Sequence, residues 1–338
     1  ETAVQTAIYR PFCKQTVYFD RAMNDMVYQL PRIFPTPRHP NLSISIPAGP
    51  SAQFFAPIMY NYTPALTPNG GNQIFPLYTW EKIVENQSDG GFDLDALGDA
   101  PAEYAGDLDF SRPLEQQIPL RIDGYRRREN ITDDTLKAYR KHYADLGITK
   151  EDIFFYIYAL LHHPDYRQRF QADLKKMLPR IPRVPGFHDF VGIGRQLADL
   201  HIHYETAEPY SEVKEQWSLD APTDPWQKYH IVKPAWSKQP SKRSKDHTTL
   251  VYNDYLTFTG IPREANAYKV GGSSPLGWVI DRYQIKTDKA SGITNDPNDY
   301  CRELNDPAYI ARLIPSLVTV SMRTQSLITQ LPIFCKGT

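Results

Sequence analysis

The chain has 338 residues, of which 41% are apolar and 12% aromatic, enough to bury a substantial core and to form two subdomains. Its 38 Lys and Arg against 39 Asp and Glu leave a formal net charge of −1, which excludes nucleic-acid binding through a global positive field and leaves only local patches for it. Cys13, Cys301 and Cys335 are far apart, odd in number and without metal-ligand spacing, and neither a signal peptide nor a run of roughly 18 apolar residues is present, so a soluble cytoplasmic protein without disulfides, working off the membrane, is expected.

The opening ETAVQTAIYRPF lacks an initiator Met and reads as a piece of a longer polypeptide, although processing would look the same. Residues 1–80 predict short strands at Gln15–Phe19, Leu42–Ile46, Gln53–Ile58 and Gln73–Leu77, rich in β-branched and aromatic residues and bounded by Pro, Gly and Asn. Between them PRIFPTPRHP (Pro31–Pro40) carries Arg32, Arg38 and His39 on a stiff loop. Residues 86–119 are acidic and glycine-rich and read as a solvated insertion or linker. Tyr125-Arg126-Arg127-Arg128 follows, then a helix from Thr132 to about Leu146, stopped by Gly147.

The longest consistent stretch is 149–205. Thr149 followed by Asp152 predicts a capping box, and Ile153, Tyr156, Ile157, Leu160 and Leu161 fall on one helical face. Pro164 opens a second predicted helix with Tyr166, Phe170, Leu174 and Met177 as its buried stripe. PRIPRVPG (Pro179–Gly186) can be neither helix nor central strand, because its prolines remove donors and fix φ. A third helix runs from about Phe187 to Tyr204, with Phe190, Ile193, Leu197 and Leu200 or His201 inward. Beyond it, Tyr229–Lys233 and Thr248–Tyr252 predict paired strands around the basic loop KPAWSKQPSKRSKD. Tyr255–Thr259 continues as strand, Pro262–Ala267 and Leu276–Tyr283 as short helices, Lys286–Tyr300 as a polar loop and Pro307–Gln330 as a closing amphipathic helix. Strand runs flanking a helical block argue for an α+β fold with three parts: β-rich 1–120 including the acidic insertion, a helical scaffold over 121–205, and a mixed part over 206–338.

Catalytic signals fail one by one. There is no phosphate-binding glycine loop, since Gly192-Ile-Gly194 lacks the third glycine and a preceding strand, and there is no G-x-S-x-G elbow. Asn295-Asp-Pro-Asn-Asp-Tyr300 lacks the adjacent prolines of an adenine-methyltransferase loop and reads as an Asx-Pro turn. Asp165 with Asp173 and Lys175 has the lettering of a metal-dependent nuclease. On one helix, eight residues put the acids roughly 12 Å apart, too far to share a metal. His162-His163 and His201-x-His203-x-Glu205 read as helix surface, because residues two apart share no helical face. No catalytic residue and no metal ligand is therefore assigned.

Basic clusters remain. Arg32 and Arg38, Arg126 to Arg128, Arg180 and Arg183, and Lys238, Lys242, Arg243 and Lys245 lie on proline- or glycine-stiffened segments with Tyr and Trp interleaved. Lys286, Lys289 and Asn295 add a fifth group, and Asn41 joins the first. Each cluster alone is more often a solvated surface. Together they fit a protein that positions itself on phosphates and reads base edges from loops around 32–41, 236–245 and 286–295.

Several segments resemble a known family. YRPF (Tyr9–Phe12) and VYFDRAMNDMVYQLPRIFP (Val17–Pro35) are similar to the junction after the adenine-methyltransferase domain of Type ISP restriction–modification enzymes. FPLYTWE (Phe75–Glu81), ITKEDIFFYIYALLHHPDYRQRFQADLKKMLPRIP (Ile148–Pro182), GRQLADLHIHYE (Gly194–Glu205) and DRYQIKTDKASGITNDPNDYC (Asp281–Cys301) resemble successive blocks of their specificity region. In that family one polypeptide joins an Mrr-like nuclease, a helicase-like ATPase, an N6-adenine methyltransferase and a target-recognition domain. The resemblance implies that this chain is the last of these. Its partners would be double-stranded DNA and the methyltransferase and helicase modules of the same parent. S-adenosylmethionine, ATP and Mg2+ would serve the parent and not this segment, and no family catalytic residue carries over. Two other readings stay open at this point: a fragment retaining methyltransferase or nuclease activity, and a protein-interaction module.

Overall fold

In the computed structural model the described residues are 3–47, 55–65, 71–83, 108–238 and 244–334. They form small sheets and a helical block, an α+β fold, and divide into two compact units: residues 1–8, 16–202 and 330–338, and residues 9–15 and 203–329.

In the first unit Ser43–Pro47 is the middle strand of a buried antiparallel sheet, with Ile44 opposite both Met59 and Phe75. Its residues are buried on both faces, Ser43 and Ser45 included, so the Ser–Ile alternation does not mark a solvent-facing side. A second sheet places Tyr125–Glu129 between Tyr78–Lys82 and Arg121–Ile122. Val4–Arg10 runs parallel to Thr63–Pro64. The expected strand at Gln53–Ile58 is displaced: residues 53 and 54 lie outside the described residues, and pairing begins only at Ile58. Most of the acidic insertion is likewise outside them. Its end is no linker, because Leu108, Phe110, Leu114 and Ile118 are buried around a short 3-10 turn.

The helical block is anchored by Lys150–His162. Thr149 caps it through the reciprocal box with Asp152, satisfying two otherwise orphaned N–H groups. The predicted single apolar face is an underestimate: Phe154, Phe155, Tyr158 and Ala159 are buried along with Ile153, Tyr156, Leu160 and Leu161, so the helix is a core helix, apolar nearly all round. It packs on Phe187–Ile202, and Gly194 is what lets it do so. A Cβ there would lie 2.1 Å from the carbonyl oxygen of Phe155. Between these helices a buried carboxylate, Glu151, accepts from the backbone N–H of Leu114 at 2.7 Å and pairs with Arg195. Burial still raises its pKa. The helix opened by Pro164 ends at Arg169, and only the turn Gln171–Leu174 follows; Tyr166 and Leu174 are buried as expected, whereas Met177 is half exposed.

The second unit holds a four-stranded antiparallel sheet in the order Lys214–Trp217, Leu256–Thr259, Lys245–Val251, Ala235–Lys238. The strand expected at Tyr229–Lys233 is instead a turn, and the pairing partner lies inside the basic loop, where Trp236 is opposite Leu250. The short 3-10 turn Arg263–Asn266 contacts Lys245–Val251 on one side and the helices Pro275–Arg282 and Tyr309–Thr329 on the other. The latter is buried along most of its length and contains Pro315, whose carbonyl accepts from Tyr210 N–H at 3.2 Å. Ser316 and Thr319 donate to the carbonyls of Ala207 and Glu208, stitching the irregular 204–213 segment to this helix. No helix among the described residues is long and apolar enough to cross a membrane.

Candidate nucleic-acid interface

The three consecutive arginines sit on a strand, not a loop, and a strand sends alternate side chains to opposite faces. Arg127 shares the face of buried Tyr78 and Trp80. Its guanidinium lies 4.4 Å over the Tyr78 ring and donates to the carbonyls of Glu115 and Ile118. Arg126 and Arg128 share the other face with Glu81. Glu81 is directly opposite Arg126, and Arg126 is directly opposite Arg121, giving a row across all three strands. Arg128 Nε donates to Glu81 Oε2 at 2.9 Å, and Arg32 from a neighbouring short helix stands 3.6 Å from Oε1. Arg32 and Arg128 thus pair with one carboxylate, Arg126 stands opposite it, and Arg121 lies one strand beyond. Arg121 was not among the expected residues. The signal for it is Asp123-Gly124 between Ile122 and Tyr125, an Asp-Gly hairpin turn with positive φ at both positions, which folds Arg121 back onto Arg126.

The loop over 35–40 divides its residues. Arg38 reaches Asp123 at 2.9 Å and lines a cleft of about 350 Å³ with Thr36, His39, Asn61 and Tyr62. His39 is buried between Thr36 Oγ1 and the Ile122 carbonyl, and desolvation lowers its pKa. Asn41 corrects the expectation of a base-reading group. It is fully buried, its amide donates to the carbonyls of Ile33 and Tyr78, and its oxygen accepts from Leu42 and Tyr78 N–H. Every hydrogen bond it has to offer is spent on backbone.

The PRIPRVPG segment is irregular as expected, and tyrosines hold it. Tyr166, Tyr156 and Tyr143 donate to the carbonyls of Arg180, Pro182 and Val184 at 2.8, 2.6 and 2.8 Å, and Val184 N–H donates back to Tyr156. Burial pushes the Tyr166 phenol up to about 12, so it stays a donor at any physiological pH. Arg180 and Arg183 are exposed on this fixed turn, and Arg183 also donates to Ala138 O at 3.1 Å.

The second unit presents two hairpins. In the first, Lys238 is directly opposite Lys245, a like-charge pair that costs stability, and Trp236 stacks on His247 with ring centroids 5.0 Å apart. Lys242 and Arg243, between those two in sequence, lie outside the described residues. The second replaces the expected polar loop: Lys286–Thr287 pairs with Thr294–Asn295, and Asp288 Oδ1 accepts from the N–H groups of Ala290 and Ser291 to shape the tip. Lys286, Lys289 and Asn295 are exposed, as is Ile293, and Gln15 reaches Asn295 Oδ1 at 3.4 Å. A two-stranded ribbon exposed on both faces has the cross-section that a DNA major groove admits.

The metal-like lettering is accounted for otherwise. Asp165, Asp173 and Lys175 all face solvent on separate turns. His162, His163 and His201 are not helix surface as expected but buried. His162 Nδ1 donates to Tyr158 O, the Tyr158 hydroxyl contacts His201 Nδ1 at 2.5 Å, and His163 caps the next helix at Asp165 N–H. Among the described residues no three His, Cys, Asp or Glu side chains converge as a metal site.

The chain is similar to known proteins over nearly its whole length. The family model described as the Type ISP C-terminal specificity domain matches residues 1–313. Among solved structures, the ATP-dependent Type ISP restriction–modification enzyme LlaBIII bound to DNA matches with TM-score 0.78 and 29% identity, over 99% of this chain and 19% of that one. A nuclease-deletion mutant of the Type ISP enzyme LlaGI in complex with a DNA substrate mimic matches with TM-score 0.71 and 31% identity, over 98% and 21%. The DrdV–DNA complex, determined by cryo-EM, matches with TM-score 0.75 and 29% identity, over 98% and 28%. The chain therefore spans less than a third of the length of each. No curated protein matches.

Proposed function

The chain belongs to the Type ISP C-terminal specificity domain family, and from that premise we propose that it recognises the target sequence in duplex DNA for a restriction–modification enzyme. The observation that carries the reading is the match of 98–99% of the chain to enzymes whose structures contain DNA. Exposed basic ribbons and turns on a near-neutral chain support it, because phosphate contacts position a protein on DNA and base-edge contacts specify.

In this reading the Lys286–Asn295 ribbon and the Lys238–Lys245 hairpin, with Lys242 and Arg243 between those two lysines in sequence, meet the groove. Lys289 and Asn295 supply donors and an acceptor for base edges. Arg32, Arg38, Arg126, Arg128, Arg180 and Arg183 contact phosphates. Lys238 opposite Lys245 fits this assignment, since a duplex supplies the charge that relieves their repulsion. The chemistry of cutting, methylation and ATP-driven movement belongs to the methyltransferase, helicase and nuclease modules of a parent polypeptide acting on cytoplasmic DNA. In this reading S-adenosylmethionine, ATP and Mg2+ serve those modules, and the lack of a glycine-rich phosphate loop in the sequence supports that division.

Selection from a random duplex pool, followed by anisotropy at two salt concentrations, tests the reading. Enrichment of one short sequence, with affinity falling steeply as salt rises, is the expected result. Absence of enrichment together with salt-insensitive binding would refute it and favour a protein-interaction module. Binding of S-adenosylmethionine by the chain would favour a retained methyltransferase.

A further inference from the structure

We propose that Glu81 is a resident counter-charge on a phosphate seat, its carboxylate holding the place that a backbone phosphate of duplex DNA takes on binding; the inference rests on the reading above and goes beyond it to how non-specific affinity is restrained. The seat is the sheet face carrying Arg121, Arg126 and Arg128, with Arg32 beside it. Glu81 stands opposite Arg126 in the cross-strand row, accepts from Arg128 Nε at 2.9 Å and lies 3.6 Å from Arg32 Nη2. Three guanidiniums, those of Arg32, Arg126 and Arg128, stand against this one carboxylate and leave it outnumbered.

The chemistry of exchange is favourable. Arginine engages a carboxylate and a phosphate through the same fork of donors, so one anion can replace the other without rebuilding the site. The side chains of Arg32, Arg128 and Glu81 are 55%, 47% and 45% exposed, so the existing pairs are weak and Glu81 can swing into water. A duplex phosphate arriving there releases condensed counterions, a gain that no single carboxylate matches. Until then Glu81 lowers the field of the face. Any duplex must displace it, which reduces binding to random sequence. A bound target displaces it at the same cost, so Glu81 lowers both affinities by the same factor and leaves their ratio to the base contacts.

The test compares the full chain, E81Q, R128Q and the E81Q/R128Q double variant. Glutamine keeps the size of Glu81 and removes its charge. Two readouts are used: the salt at which each protein leaves a heparin column, and anisotropy titration of random-sequence and selected duplexes at several salt concentrations. E81Q should leave heparin at higher salt and bind random duplex about 2- to 10-fold tighter. Its log affinity should fall more steeply with log salt, by about one unit of slope. R128Q in the E81Q background should reverse much of the gain. The ratio of selected to random affinity should stay the same in E81Q, because both duplexes displace the same carboxylate. Unchanged heparin elution and unchanged random-duplex affinity in E81Q, with the parent chain still binding DNA, overturns the counter-charge alone. A heparin shift with no duplex binding by either protein overturns the DNA-recognition reading, and with it the identity of the displacing anion.

Discussion

Lys14 and Glu205, 191 residues apart in sequence, form an ion pair in which Lys14 is almost completely buried, and Tyr309 donates its hydroxyl to the other Glu205 oxygen. The pair makes Tyr9–Gln15 part of the second unit despite its place near the start of the chain. Phe12 adds an edge-to-face contact with Tyr204 at 5.3 Å, and the Tyr283 hydroxyl donates to the Phe12 carbonyl at 3.2 Å. Burial of the same segment lifts the Cys13 thiol to about 11, leaving it an inert apolar group.

Asymmetry between the two partners follows from their surroundings. Glu205→Ala strands a buried ammonium and the Tyr309 hydroxyl, and should cost about 3–5 kcal/mol. Lys14→Ala leaves Glu205 part-exposed and still hydrogen-bonded, and should cost about 1–3 kcal/mol. The double variant should lose less than the sum. Denaturant unfolding measures all three, and equal, additive losses would refute the coupling.

Two glycines of one helix should respond with opposite signs. Gly192→Ala meets nothing within 4 Å, so it should gain about 0.5–1 kcal/mol from helix propensity. Gly194→Ala drives a methyl into the Phe155 carbonyl and should lose about 3 kcal/mol or more as the two helices are pushed apart. Thermal unfolding midpoints that rise for both would show that the helices have room to separate.

Acid should unfold the first unit through its buried histidines. Burial lowers His162 to about 3 and pushes His201 well below its ordinary value, whereas in the unfolded chain both titrate near 6.5. The unfolded state therefore binds protons that the folded state refuses. Stability contributed by these groups is fully present above about pH 6.5 and is lost as pH falls toward 3, by up to about 1.4 kcal/mol per pH unit for each histidine. His201→Gln should flatten that dependence between pH 6 and 4 (the span is approximate). An unchanged pH profile would place the acid sensitivity elsewhere.

The arginine strand should split by face. Arg126→Ala and Arg128→Ala should weaken DNA binding about equally for all sequences and lower the salt slope by about one each. Arg127→Ala should leave the slope unchanged and reduce stability, because Arg127 covers Tyr78 and satisfies the Glu115 and Ile118 carbonyls. Equal salt slopes for all three variants and the parent would remove this face from the interface.

On the ribbon, Asn295→Ala should relax preference at one base pair by about 1–3 kcal/mol without altering the salt slope. Lys289→Ala at the tip should relax preference at a neighbouring base pair and, because it also removes a positive charge, lower the salt slope by about one. Sequence selection with each variant distinguishes them, and unaltered preference in Asn295→Ala would move base reading to the other hairpin.

Local signals settled much of the fold. Thr149 and Asp152 define a helix start by their own hydrogen bonds, prolines forbid helix in Pro179–Gly186, and the family resemblance rests on words along the whole chain. These depend on neighbours within a few residues, and a sequence displays them directly. The class of function was legible for the same reason. What a side chain faces was not. Arg127 lies over Tyr78 on one face of its sheet while Arg126 and Arg128 share the other with Glu81, because the strand alternates. Asn41 looked like a reader and is a buried splice between Ile33 and Tyr78. The histidines looked solvated and are sealed between two helices. Arg121 joins the basic face only through a turn, and Lys14 finds Glu205 only through the fold. Tertiary structure decided each of these, because burial and pairing across long separations depend on which surfaces meet, and no local pattern encodes that.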